Sequence, residues 1–364
     1  FSSPYFFVPP QGDTASRPSS CPPGSLRFNT DTSHLEYFRG NTIGWVEIEA
    51  ELTAPLGGGT ESNIGVGVRG LVGGFNVNGN TIEYITVSTT GNSQDFGDLS
   101  NGRNNPGQNV CNRTRMVFGG GYDGGGWENV IDFVTVATLG NATDFGDTTV
   151  KRMQLSSVNN KIRGIFGGGQ TAPSYNGTNV IDYVTIAQTG NAVDFGDTTN
   201  AKTSIASVSS STRGIFGHGA KSPSPVGYAD FVTMASTGNA TNFGNLSANN
   251  RNSLYAGGSS STRGIFAGGY ITTDIEFITI ATTGNSTDFG DMTVARFQGC
   301  GLSSSTRDVL VGNRITPGSS NGNTIDYIEI ATTGNALDFG DLAGDLASQT
   351  GYSGNANGHG GVSG

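Results

Sequence analysis

The chain has 364 residues, of which 34% are apolar and 59 are glycine, and its 29 acidic residues outnumber 19 Lys and Arg to give a formal net charge of −10. No Lys/Arg cluster is present to displace counterions from phosphates, which argues against a nucleic-acid partner, and no run approaches the roughly 18 apolar residues that a membrane span requires. Cys21, Cys111 and Cys300 stand at unrelated spacings, the pattern of neither a disulfide framework nor a CxxC zinc site.

Residues 1–23 hold Pro4, Pro9, Pro10, Pro18, Pro22 and Pro23 beside Phe1, Tyr5, Phe6 and Phe7. Such proline density predicts an extended arm with few internal hydrogen bonds. The aromatics have no core of their own there, so Tyr5, Phe6 and Phe7 are expected to bury themselves in another subunit or in a larger particle.

Residues 24–50 predict a small three-stranded β-meander with turns at 29–33 and 40–44. At about 27 residues it cannot supply a self-sufficient core. It is expected to lean on the larger C-terminal region or on copies of itself, through Phe28, Leu35, Tyr37 and Trp45.

From 51 to 364 one pattern recurs. The Gly of a Gly-Asn step falls at Gly91, Gly140, Gly190, Gly238, Gly284 and Gly334, a spacing of about 50 residues that marks a propeller, solenoid or array. Each unit has a run like Arg163-Gly-Ile-Phe-Gly-Gly-Gly, then a β-branched and aromatic run like Val180-Ile-Asp-Tyr-Val-Thr-Ile, then Gly-Asn, then Asp-Phe-Gly-Asp. The last three form a hairpin signature, with Gly and Asn supplying positive φ. A Ser/Asn/Val-rich stretch from about Leu155 adds a fourth strand. The predicted fold is therefore all-β, a six-bladed β-propeller of four-stranded antiparallel blades, with the tail from Leu346 or the segment 57–68 closing the first blade.

The double-glycine strand at this period resembles kelch-repeat propellers. Gly24-Ser-Leu-Arg-Phe-Asn-Thr-Asp-Thr, Leu35-Glu-Tyr-Phe and Gly44-Trp-Val-Glu-Ile are similar to a short module of bacteriophage tail fibres and other virion proteins. The nearly identical repeats such as Leu139-Gly-Asn-Ala-Thr-Asp-Phe-Gly-Asp and Thr283-Gly-Asn-Ser-Thr-Asp-Phe-Gly-Asp resemble those of structural proteins from marine, especially cyanobacterial, phages. Together the resemblances imply a virion appendage or decoration protein, located on the particle surface, joined to other virion proteins by its N-terminal arm and assembled in multiple copies.

Two columns of charge run through the repeats. Arg69, Arg115, Arg163, Arg213, Arg263 and Arg307 occupy one strand, and Glu83, Asp132, Asp182, Asp230, Glu276 and Asp326 another. Equivalent copies suit structural Arg–carboxylate bridges better than catalysis, which needs groups in separate roles. Asp-Phe-Gly-Asp could suggest a cation site, yet the fourth repeat has Asn242-Phe-Gly-Asn245 and keeps only the turn-capping capacity. Three histidines, His34, His218 and His359, are too scattered for the copper site of oxidase-type kelch enzymes, and the Ser-x-Asp-x-Gly-x-Thr-Trp box of sialidase propellers is absent. No catalytic residue, metal or cofactor is expected.

The Gly-Asn turns hardly vary, whereas the connections after the glycine cluster do. They carry Tyr122, Trp127, Tyr175, Tyr228 and Tyr270 among Gly, Ser and Asn. Aromatic planes with adaptable polar neighbours suit a host-surface glycan or protein; the alternative is that each covers the rim of its own blade. The leading expectation is a non-enzymatic virion adhesin or decoration protein, ahead of a purely architectural subunit and of a glycan-active enzyme.

Overall fold

The computed structural model describes residues 9–32, 34–48, 68–74, 79–104, 108–173, 176–203, 205–217, 219–221, 224–246, 256–269, 272–312, 314–315, 320–343 and 353–363. The chain divides into two units, Phe1–Ala54 and Pro55–Gly364.

In the first unit Leu26–Asn29, His34–Phe38 and Trp45–Ile48 form the expected meander, but a fourth strand joins it. Gln11–Gly12 pairs in parallel with Leu26–Asn29, so part of the proline-rich segment belongs to the sheet. Its register puts Leu26 opposite Tyr37, Phe28 opposite Leu35, and Leu35 opposite Ile48, all on one face. Phe28, Leu35 and Tyr37 are only half-buried there. The other face is buried around a charge cluster. Glu36 accepts from Arg17 and from Asn29 Nδ2, with Arg27 Nη1 3.9 Å away. These contacts, the Arg17 hydrogen bond first, hold its carboxyl below the usual range. Trp45 lies on this same face, 5.4 Å from the Phe38 ring, and its indole N–H donates to Pro18 O at 2.9 Å. Tyr5, Phe6 and Phe7 lie outside the described residues.

The second unit consists mainly of repeated antiparallel sheets, each with a common set of four strands. The second sheet runs Val110–Cys111, Arg115–Tyr122, Trp127–Thr135, Thr143–Asp147 in spatial and chain order. The third is Ser156–Asn159, Arg163–Gly167, Asn176–Thr185, Val193–Lys202, and the fourth Ser207–Ser209, Arg213–Phe216, Tyr228–Thr233, Thr241–Asn245. The fifth is Ala256–Ser259, Arg263–Ala267, Asp274–Thr279, Thr287–Asp291, and the sixth Cys300–Ser303, Arg307–Val311, Thr324–Glu329, Leu337–Asp341. The first sheet breaks chain order, because its leading strand is Ser353–Ala356, paired antiparallel with Arg69–Gly73. Of the two segments expected to close it, the tail supplies the strand. This is an all-β, propeller-like fold.

Neighbouring sheets are clasped by the turn motif itself. In the third sheet the register slips between Ile181 and Asp182, so that Phe195 is the extra residue of a bulge. The bulge turns its ring inward, 2% exposed, onto the edge of Tyr183 at 5.9 Å. Gly196, at φ 143°, lets the next turn approach, since a Cβ there would lie 2.6 Å from Gly238 O. Gly238 N then donates to Phe195 O at 2.7 Å, and Asn239 Oδ1 accepts from Asp197 N. Asp-Phe-Gly-Asp followed one repeat later by Gly-Asn is thus a single inter-sheet joint. The joint recurs from sheet to sheet and joins the sixth to the first, where Gly91 N donates to Phe339 O at 2.9 Å.

Packing between sheets obeys a knob-and-hole rule. Phe118, Phe166, Phe216 and Phe266, each fully buried, sit against Gly73, Gly119, Gly167 and Gly217 of the preceding sheet. Where the hole is Ala267 the knob in its cluster is Leu310, and where it is Val311 the knob is Val72. Knob shrinks as hole fills, as constant packing density requires.

The two charge columns do not pair with each other as expected. Each Arg of the first column instead reaches the next sheet's backbone, as Arg163 Nη1 does to Met234 O at 3.1 Å and Arg307 Nη1 to Val87 O at 3.4 Å. Its guanidinium lies over the aromatic ring of its own third strand, 4.8 Å above Tyr183 and 4.4 Å above Tyr327. The carboxylates pair with a different set of bases, each a few residues after the Asp-Phe-Gly-Asp run of the preceding sheet. Asp132, Asp182, Asp230 and Asp326 are fully buried and bound to Arg103, Arg152, Lys202 and Arg296. A hydroxyl from the preceding sheet completes each site: Ser100, Thr149, Thr199 and Thr293. Where the column has Glu, the longer side chain meets a serine, Ser93 for Glu83 and Ser286 for Glu276. The residues equivalent to those serines are alanines elsewhere: Ala142, Ala192, Ala240 and Ala336.

Candidate functional site

In each antiparallel sheet the third-to-fourth turn carries the Gly-Asn joint, and the second-to-third connection emerges at the opposite end. The two ends are built differently. Gly-Asn turns are locked into neighbouring sheets by the hydrogen bonds just described, whereas the connections differ in length and sequence. In the second sheet a tight turn at 123–126 joins strands paired as far as Tyr122 and Trp127. Asp123 Oδ1 accepts from Gly125 N at 2.8 Å and Gly126 N at 2.9 Å, and these backbone bonds hold its carboxyl below the usual range. In the third sheet Gln170–Thr171 folds back on Asn176 and Gly177, and in the fourth Gly219–Lys221 pairs with Ser224–Val226 as a separate ribbon.

Two of the aromatics singled out from the sequence come together here. Tyr122 and Trp127 face each other across their strand pair with ring centroids 5.9 Å apart, near edge-to-face at 69°. Tyr122 also donates to Gly124 O at 3.0 Å, so the turn itself orients the pair. Both rings remain partly exposed. Tyr228 is placed otherwise. It lies over Lys202, with Nζ 4.9 Å from the ring centroid, where Lys202 replaces the arginine of the buried pairs and leaves room for a ring. Burial, then the Asp230 charge, pushes the Tyr228 phenol up, and burial pushes the Lys202 ammonium down. Tyr175 and Tyr270 lie outside the described residues, as does His218.

A concave feature lies at the centre of the second unit. The leading strands of successive sheets touch one another and close from Cys300–Ser303 through Ser353–Ala356 to Val110–Cys111. At their centre is a cup lined by Gln108, Ser157, Ser207, Ser209, Ser259, Ser303, Asn355 and His359 among others. Hydroxyls link the strands: Ser259 Oγ donates to Ser209 O at 2.8 Å, and Ser303 Oγ accepts from Ser259 N at 3.0 Å. The short helix Gly360–Ser363 packs against three of these strands. Its approach needs glycine, because a Cβ on Gly361 would overlap Asn159 O. His359 Nδ1 accepts from Gly361 N at 3.0 Å, and burial drives the imidazole pKa down to about 3. The ring is therefore neutral, without a charge to offer a ligand. The signal in the sequence was the small polar composition of Ser-Ser-Val-Asn, Ser-Val-Ser and Gly-Gly-Ser at the leading strands, where converging backbones leave space for little else.

No known family model matches this sequence, and no curated protein matches it. Among solved structures 384 chains match. One, titled "Structure of YjhT", superposes with a TM-score of 0.58 at 10% identity, covering 74% of this chain and 94% of that one. At that identity the likeness establishes a shared fold.

Proposed function

We propose that this chain is a six-bladed β-propeller of a phage virion, carried by a small N-terminal module, and that it is a non-enzymatic binding protein directed at a host-surface glycan or protein. The observation that carries this reading is the inequality of the two ends. One end spends its side chains and amides on identical joints between sheets, so it is fixed by the ring. The other is free to vary, and presents the Tyr122–Trp127 pair on a turn already ordered by Asp123. Rigid aromatics on a preorganised turn bind at little entropic cost.

The buried charges support a binding role, since Arg103, Arg152, Lys202 and Arg296 are each committed to an aspartate of the framework. The phage assignment rests on the resemblance of the N-terminal module and of the Gly-Asn repeats. The test is binding of the purified full chain, displayed multivalently, to candidate host cells and to a glycan panel. The Trp127→Ala chain is expected to lose binding by tenfold or more while keeping its melting midpoint, and a Thr189→Ala chain at the opposite end is expected to bind normally. Equal binding by all three, or turnover of a glycan, overturns the reading.

A further inference from the structure

Asp308 breaks the repeat. It stands where four other units have glycine, Gly70, Gly164, Gly214 and Gly264. At those positions a Cβ would collide with the leading strand of the preceding sheet, through Leu302, Val110, Val158 and Val208 respectively. For Asp308 the facing residue is instead Gly258, so the exchange of large and small is reversed and the carboxylate fills the space. A Cβ on Gly258 would lie 2.1 Å from Asp308 Oδ1 and 2.2 Å from Oδ2.

Volume is matched, but charge is not. Asp308 is fully buried, and among the described residues neither oxygen is paired with a cation or with another side chain. The Val309 amide only partly offsets burial, which pushes the carboxyl up to about 7. The contrast with Asp132, Asp182, Asp230 and Asp326 is direct, because each of those has a buried cation of its own. The titratable groups facing this region supply none: burial, and then Asp308 itself, pushes the Cys300 thiol up, and His359 is neutral.

Gly258 also lines the axial cup, beside Ser259 and Ser303. The free volume there is about 20 Å³, room for one water-sized occupant. Hydroxyl, amide and backbone oxygens are the ligands that hard cations take, and one uncompensated carboxylate sits behind the wall. We propose that the axial cup binds a single monovalent alkali cation, sodium or potassium, whose charge balances Asp308. A divalent ion would leave one positive charge without a counterpart, since no carboxylate lines the cup itself among the described residues and Asp308 behind Gly258 supplies a single charge.

The test uses the full chain exchanged into choline chloride at about pH 8, where the carboxyl is ionised. Replacing choline by sodium or potassium at constant ionic strength is expected to raise the melting midpoint by about 3 °C or more, and the Asp308→Asn chain is expected not to respond. Should that variant fail to fold, sodium-23 line broadening on the unmodified chain decides: it is expected to saturate at one site per chain and to be relieved by potassium. A midpoint that varies with pH but with neither cation assigns the balance to a proton and overturns the proposal. So does an Asp308→Asn chain that responds as fully as the parent, or broadening with no saturable site.

Discussion

The knob-and-hole rule between sheets can be tested by transplanting one natural pair onto another position. Gly167 faces Phe216, and a Cβ at 167 would meet the ring at 2.8, 2.8 and 3.3 Å, with no other atom closer. Gly167 carries no positive φ, so the backbone accepts alanine. Gly167→Ala alone is therefore expected to overpack the seam at a cost of ~1–3 kcal/mol, reduced by ~0.4–1 kcal/mol from the stiffer unfolded chain. Phe216→Leu alone leaves a void beside Gly167 and is expected to cost about 1–2 kcal/mol, well below the ~3–5 kcal/mol of a truncation to alanine. Together the two changes recreate the Ala267–Leu310 combination that this chain already uses between its fifth and sixth sheets. The added methyl then occupies the space the ring gave up, so the double variant is expected to be more stable than the sum of the singles by about 1–2 kcal/mol. Equilibrium urea unfolding of the four proteins, monitored by tryptophan fluorescence and far-UV circular dichroism together, gives the coupling. Additivity within ~0.5 kcal/mol, the figure for sites that do not interact, refutes the claim that these positions set the fit between sheets.

The same structure sets three further expected outcomes. Asp308 has a folded-state pKa of about 7 against an ordinary 3.8, so folding favours its protonated form; its contribution is full below about pH 4, is lost as pH rises towards 7, and amounts to about 4 kcal/mol in a cation-free buffer, a slope that Asp308→Asn is expected to abolish in urea unfolding across that window. Arg152→Met strands the buried Asp182 and removes bonds to Val180 O at 2.8 Å and Gly168 O at 3.0 Å; a loss of ~3–5 kcal/mol is expected, against about 1 kcal/mol or less when Asp182→Asn is combined with it, read by denaturant midpoints. Ending the chain before Ser353 removes the leading strand of the first sheet and leaves Arg69–Gly73 an open edge; native-state hydrogen exchange is expected to show protection lost first in the first sheet, and uniform loss across all sheets would contradict the pairing.

The sequence by itself determined what is local and repeated. A period of about 50 residues, β-branched runs and Gly-Asn steps specify strands and hairpins, because side-chain alternation and a glycine's backbone freedom act over a few residues; the asparagines, expected at positive φ beside their glycines, keep ordinary φ. Asp-Phe-Gly-Asp, read from the sequence as a turn-capping motif, is instead a bulged strand that makes its joint through the backbone of Phe195 and Asp197, which is why Asn can replace both acids. Tertiary structure decided the contacts between residues far apart in the chain. Ser353–Ala356, rather than an earlier segment, zips onto Arg69–Gly73, some 280 positions away. The arginine column left its expected carboxylates for carbonyls of the next sheet, 67 to 71 residues on for the first five and 220 residues back for Arg307. Tyr228 lies over Lys202, and Asp308 found its space only because Gly258 had vacated it. In each case the deciding partner lies well beyond the few residues over which side-chain alternation and turn geometry act, so only the folded chain brings the two together.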